Sequence, residues 1–214
     1  MTVPDAHEPH AARAPHHDLS PLDPRDVDLS VTIGAVRLRN PLLTASGTFG
    51  YGVEFDDVLD VGVLGGVVTK TITRRFQPGH PPPRIAETPS GMLNSIGLEN
   101  VGLDRFLVEK LPLLATLPTA AIVSLGGHSL GDFAEMARAV AGAPNVVALE
   151  LNISCPNLER GGALFCADPS MAAAVIAEVR RVTDMPLWAK IGVRIRSHQL
   201  LVSFLHQLID RRCK

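Results

Sequence analysis

Apolar residues along this chain gather into short runs separated by longer stretches with helical spacing. The runs occupy positions 41–45, 63–69, 120–125, 146–151 and 186–191. Each is rich in Val, Ile and Leu and nearly continuous, as strands buried on both faces are. Ahead of them, Val31 and Ile33 and then Val36 to Leu38 flank Gly34, which predicts a hairpin. Between the later runs the period lengthens. Asp132 and Glu135, three apart, predict a helix over 132–141 with a capping-box-like start. Asp168-Pro169 predicts a sharper start, an N-cap followed by proline at the first helical position, for a helix over 170–182.

Strand, helix, strand in this order builds a parallel α/β sheet. The unusual polar residues cluster just after the strands, as in a site built on C-terminal strand ends. That favours an incomplete (β/α)₈ barrel with about five strands over an open sheet. Residues 28–191 hold this pattern. Residues 1–27 carry His7, His10, His16 and His17 among prolines with almost no apolar periodicity, and read as a disordered, solvated tail rather than a metal site. Residues 192–214 predict a separate helix, with Leu200, Leu201, Phe204, Leu205, Leu208 and Ile209 on one stripe and Ser197 as its cap. Three readings of that ending stay open: a core-facing helix, a new interface, or a shifted reading frame.

Composition narrows the function classes. A 46% hydrophobic fraction is ample for a core, and a net charge of −2 calls for neither nucleic acid nor an anionic membrane. Three cysteines make no disulfide framework and suggest a reducing cytoplasm. No apolar run reaches the roughly 20 residues that span a bilayer.

Candidate chemistry follows the strands. Thr44-Ala45-Ser46-Gly47-Thr48-Phe49-Gly50 is small enough to let a ligand approach the backbone. Lys70 in Thr69-Lys70-Thr71 and Lys190 in Trp188-Ala189-Lys190 stand at strand ends, where a buried ammonium needs a partner or a ligand. Met92-Leu93-Asn94-Ser95-Ile96-Gly97-Leu98-Glu99-Asn100 reads as a loop that offers amides and backbone N–H groups to a small anion. Asn152-Ile153-Ser154-Cys155-Pro156-Asn157 ends a buried strand with a thiol between two asparagines. Cys155 reads as either a structural thiol or a reactive one. The set suits a planar, polar, anionic substrate. No HExxH, P-loop or GxGxxG is present. Cys155 and Cys166 lack zinc-like spacing with a histidine, so no metal is assigned, and Cys166 and Cys213 read as incidental.

Taken in order, these motifs, with Asn40-Pro41 and Pro81-Pro82-Pro83-Arg84, resemble the dihydroorotate dehydrogenase family, and within it the bacterial class 1B catalytic subunits. The resemblance implies a TIM-like (β/α)₈ barrel that binds FMN at the strand ends and oxidises dihydroorotate to orotate in pyrimidine biosynthesis. It implies flavin contacts from Ser46, Lys70, Thr71, Ser124, Asn152 and Lys190. Substrate contacts would come from Lys70, Asn94, Ser95, Ile96, Gly97, Leu98, Asn152 and Asn157. Cys155 would be the base, taking a proton from ring carbon 5 while a hydride leaves carbon 6 for the flavin. Family members often have Asn where this chain has Ser124. The family further implies a homodimer within a heterotetramer, with a partner subunit that carries FAD and a [2Fe–2S] cluster and passes electrons to NAD.

The motif-by-motif resemblance stops near Ile191. The later units that grip the FMN phosphate in the family are not legible, so the chain is expected to be C-terminally truncated, to hold FMN weakly and to turn over little alone. Two alternatives are a dihydropyrimidine dehydrogenase-like pyrimidine reductase, against which Asn157 argues, and a non-catalytic fragment acting through binding.

Overall fold

The computed structural model describes residues 23, 26–55, 57–154 and 169–191. The hairpin predicted around Gly34 is present as β1 (Val31–Ile33) and β2 (Val36–Leu38), antiparallel with Ile33 opposite Val36. Gly34 has a φ of 59°, the left-handed value that the first position of a two-residue type II′ turn requires.

The predicted run at 41–45 is not a strand. Only Leu43 bridges, in parallel, to Gly66. Leu42 and Thr44 still pair with Gly65 and Gly66 through the backbone, but Asn40 cuts the run short at its start: its side chain takes the Leu42 N–H at 3.0 Å and donates to the Val63 carbonyl at 2.9 Å. Those backbone groups are thereby withdrawn from a ladder. The next run gives β3 (Gly66–Val68). The Asn-rich segment, expected as loop throughout, begins as a strand. β4 (Ile85–Thr88) and β5 (Gly91–Asn94) form an exposed antiparallel hairpin, with Ile85 opposite Asn94.

β6 (Ala120–Leu125), β7 (Val146–Asn152) and β8 (Leu187–Lys190) match the remaining predicted runs to within a residue or two. With β3 they make one parallel sheet in the order β3-β6-β7-β8. Alternation gives this sheet two faces. One face carries Val67, Ala121, Val123, Leu125, Leu149, Leu151 and Leu187 into a core shared with the helices. The other carries Val68, Ile122, Ala148 and Trp188 against Val36 and Leu38 of the β1–β2 hairpin. Farther along the same face the residues turn polar: Ser124 follows Ile122, Glu150 and Asn152 follow Ala148, and Lys190 follows Trp188. The register sets Ser124 beside Glu150, and Asn152 beside Lys190.

The helices cover the apolar face. A segment that the sequence pattern did not predict comprises α1 (Leu103–Arg105), a π turn over Phe106–Lys110 and α2 (Leu111–Leu114). α3 (Leu130–Val140) starts earlier than predicted. Its N-cap is Ser129, and the capping box pairs Ser129 with Asp132 rather than Asp132 with Glu135. Asp132 is the N3 residue, so its carboxylate reaches back to the N-cap N–H while the Ser129 hydroxyl takes the Asp132 N–H. α4 (Pro169–Arg180) begins on the predicted proline, while Asp168 lies outside the described residues. Phe133, Met136, Ala137 and Val140 of α3 and Ala172, Val175, Ile176 and Val179 of α4 repeat at helical spacing and are buried. Each large side chain among them contributes about 1.5–3 kcal/mol. Among the described residues no helix is long and apolar enough to cross a membrane.

Candidate functional site

The polar end of the sheet opens into a cavity of about 300 Å³. This volume is at the small end of the range typical of small-molecule sites. Segments far apart in the chain supply its walls. Ser46 comes from the loop after Leu43, and Lys70 and Thr71 from the segment after β3. Asn94, Ser95, Ile96, Gly97 and Leu98 come from β5 and the loop beyond it. Asn152 and Lys190 end β7 and β8. The structure therefore brings together every described residue of the expected substrate set, and all but one of the expected flavin set.

The exception is Ser124. It is fully buried beneath the wall, hydrogen-bonded to Thr71 and to Glu150, and does not line the cavity. Cys155, Asn157, Cys166 and Cys213 lie outside the described residues, as do the histidines of the tail and the stripe at 192–214.

Two cations face the cavity. The Lys190 ammonium donates to the Ser46 hydroxyl at 2.8 Å. Neither it nor Lys70 is in an ion pair among the described residues. Two uncompensated ammonium groups in one concavity favour an anionic occupant.

The loop from Ser95 to Asn100 is held by both ends of its backbone. The His80 N–H donates to the Ile96 carbonyl at 3.0 Å, and the His80 ring nitrogen Nδ1 lies 2.8 Å from the Ser95 hydroxyl. Gly97 and Leu98 both have left-handed backbones, φ 75° and 55°. Leu98 tolerates this less readily than glycine does. The buried Asn100 holds the turn: it donates to the Leu98 carbonyl at 2.9 Å and accepts from the backbone of Thr73 at 3.0 Å and Gly102 at 2.9 Å. Among the described residues the N–H groups of Ile96, Gly97 and Leu98 have no acceptor, and all three residues line the cavity.

Beneath the wall runs a chain of side chains. The Asn152 amide donates to the Thr71 hydroxyl at 3.0 Å, which lies 2.8 Å from the Ser124 hydroxyl, which donates to the Glu150 carboxylate at 2.7 Å. Ser154 donates to the Asn152 carbonyl oxygen at 2.8 Å.

Sequence reasoning missed His80 among the lining residues and Glu150 beneath them, while Gly47 and Glu99 stand inside the quoted motifs without a role of their own. For His80 no signal was available, since it sits in a proline-rich stretch like any surface histidine. Glu150 did carry one: a carboxylate inside an otherwise buried apolar strand demands a partner. Glu99 is tied to Arg84 by an ion pair.

Residues 28–201 match the sequence model of the family described as dihydroorotate dehydrogenase, a match that continues past Ile191, where the motif resemblance stops. Over 168 residues, 78% of this chain, the sequence is 51% identical to the dihydroorotate dehydrogenase B (NAD(+)), catalytic subunit, of Geotalea daltonii. The proteins of the same name from Geotalea uraniireducens and Geobacter sulfurreducens are 49% and 45% identical over the same length. Each alignment covers 55% of the relative, so the chain spans about half the length of the curated relatives it matches.

Proposed function

The chain belongs to the dihydroorotate dehydrogenase family, and from that premise we propose that its cavity serves the oxidation of dihydroorotate to orotate, with FMN as hydride acceptor, in pyrimidine biosynthesis. One observation carries this reading. Two lysines without ion-pair partners among the described residues, two asparagine amides and the N–H groups of Ile96 to Leu98, open among the same residues, converge on one cavity. That donor set suits a planar ring bearing a carboxylate and carbonyls.

The sheet supports the barrel of the family. Its strands follow one another in chain order, with Leu43 adding a fifth position beside β3. A doubly wound sheet would reverse its order at a switch point. We read this arc as part of a (β/α)₈ barrel with its ligands at the C-terminal strand ends.

The cationic, hydrogen-bonding wall fits the polar ring of FMN. Ser46, Lys70, Thr71, Asn152 and Lys190 would hold it. When bound, FMN supplies the two-electron acceptor for the hydride. Lys70, Asn94, Asn152, Asn157 and the segment Ser95 to Leu98 would hold the substrate, with its carboxylate toward the cations. Cys155 takes the proton released from ring carbon 5. An ordinary thiol ionises near pH 8.5, so this role requires surroundings that favour the thiolate.

The names of the relatives, a catalytic subunit linked to NAD(+), support a partner that passes electrons onward. We assign FAD and a [2Fe–2S] cluster to that partner, and a homodimer within a heterotetramer to the assembly. The three cysteines of this chain are too few for four-thiolate ligation.

The test is FMN and orotate binding by the full chain, followed by anaerobic reduction with dihydroorotate. With FMN supplied in excess, since the chain is expected to hold it weakly, flavin that bleaches with dihydroorotate and not with dihydrouracil supports the proposal; a chain that binds orotate neither with nor without excess FMN overturns it. Cys155→Ser should slow bleaching by roughly 10²-fold with orotate affinity unchanged, and equal rates would remove Cys155 from this role.

A further inference from the structure

We infer that Glu150 is a positioning residue for the cavity, acting through Ser124 and Thr71 to fix which end of the Asn152 amide is presented to a ligand. This rests on the cavity being the ligand site argued above.

The argument is one of hydrogen-bond polarity. An ionised carboxylate only accepts, so the Ser124 hydroxyl must donate its proton to Glu150, 2.7 Å away. Ser124 then has only lone pairs left for Thr71, so the Thr71 hydroxyl donates to it across 2.8 Å. Thr71 has thereby spent its own proton and can only accept from its other neighbour, the Asn152 amide nitrogen at 3.0 Å. The fourth contact agrees, because the Asn152 carbonyl oxygen is already taken by the Ser154 hydroxyl at 2.8 Å. Every donor and acceptor in this row has one consistent direction, and the charge on Glu150 sets it. The second amide N–H of Asn152 is left for the cavity that this residue lines.

The fold makes the arrangement local to the site. Ser124 and Glu150 are register neighbours on adjacent strands, and Asn152 is the next residue along β7 on the face of Glu150. Ser124 and Thr71 are almost fully buried, so bulk water cannot substitute for a missing link. A neutral group at position 150 could donate as well as accept. The row could then reverse, and Asn152 could turn its oxygen toward the ligand. The carboxylate thus selects ligands that offer an acceptor to Asn152, as orotate does.

The experiment follows the Asn152 side chain itself. The full chain is labelled with ¹⁵N-asparagine, and the Asn152 amide signal is identified by its loss in Asn152→Asp. Glu150→Gln, which keeps the shape, and Ser124→Ala, which cuts the row, should both move that signal and speed its exchange with water by about tenfold. Ser124→Thr, which keeps the hydroxyl, should restore the parent signal. An Asn152 signal unmoved in both Glu150→Gln and Ser124→Ala overturns the inference. Orotate titration of the same samples separates the two proposals. Glu150→Gln should weaken orotate by about tenfold. A parent chain that binds orotate neither with nor without excess FMN would overturn the functional reading, while the amide signals still decide the role of Glu150.

Discussion

Lys190 and Ser46, 144 residues apart, are joined by a 2.8 Å hydrogen bond from the ammonium to the hydroxyl. Lys190 ends β8, at one edge of the parallel sheet, and Ser46 follows Leu43, which bridges the other edge. The bond therefore ties together the two borders of the arc over the site. Lys190 remains without an ion-pair partner among the described residues, as does Lys70.

A group kept for ligand binding at the expense of stability follows from this. Lys190→Met and Lys70→Met each remove an uncompensated cation while keeping the apolar stem. Each should weaken orotate by roughly ten- to hundredfold; Lys70→Met should leave the unfolding free energy unchanged or raised by about 0.5 kcal/mol, and Lys190→Met should lose about 1 kcal/mol with its hydrogen bond to the buried Ser46. Urea unfolding beside orotate titration checks both halves. A loss of about 2 kcal/mol in stability would show instead that the lysines are structural.

Asn100 is expected to behave in the opposite way. It is buried and satisfies two backbone N–H groups and one carbonyl in the turn that carries Leu98. Asn100→Ala leaves those groups unpaired and should cost about 2–3 kcal/mol in urea unfolding. Asn100→Asp should do no better, since an ionised carboxylate cannot donate to the Leu98 carbonyl and buries a charge. Asn100→Asp within 0.5 kcal/mol of the parent, a margin of about the size expected at an indifferent surface position, would mean that the turn holds itself.

Much of this was legible from pattern alone, and the misses have physical causes. The buried strands at 120–125, 146–151 and 186–191 announce themselves because a continuous apolar run has few other uses in a parallel sheet. The run at 41–45 looks the same, yet side chains intercept backbone groups at both its ends, Asn40 taking the Leu42 N–H and the Thr44 hydroxyl taking the Val68 N–H, and no count of apolar residues reveals that. The β4–β5 hairpin is exposed along both strands, so it carries no burial pattern to read. The site residues were legible as an ordered set of motifs. Ser124 was singled out as a flavin contact but sits one layer beneath the cavity wall, its hydroxyl donating to its strand mate Glu150.

The start of α3 offers a local test. The Ser129 hydroxyl accepts from the Asp132 N–H at 3.2 Å, and Asp132 accepts from the Ser129 N–H at 3.2 Å. Ser129→Ala should lose about 1 kcal/mol, and Ser129→Thr should recover most of it. Glu135→Ala removes the partner that the sequence pattern would have chosen, and should leave the cap intact. A larger loss from Glu135→Ala would point instead to its ion pair with Arg74.

Tyr51 gives a pH prediction with a clean reporter, because it is the one tyrosine in the chain. Its ring is buried at 4% exposure against Phe106, with the Lys110 ammonium 5.2 Å from the ring centre. Burial pushes its phenol up to about 12 from an ordinary 10.0, and the nearby Glu54 carboxylate adds to the rise. The folded state therefore holds the phenolic proton more tightly than the unfolded chain. The stability this contributes is fully present below pH 10 and is lost as pH climbs toward about 12. Its size is roughly 2–3 kcal/mol. Absorbance at 295 nm should show a midpoint near 12 in the folded protein and near 10 in concentrated urea. Tyr51→Phe, which cannot ionise, should remove that share of the alkaline loss of stability. A folded-state midpoint near 10 would mean that water reaches the phenol and that the packing around Tyr51 is looser than this arrangement requires.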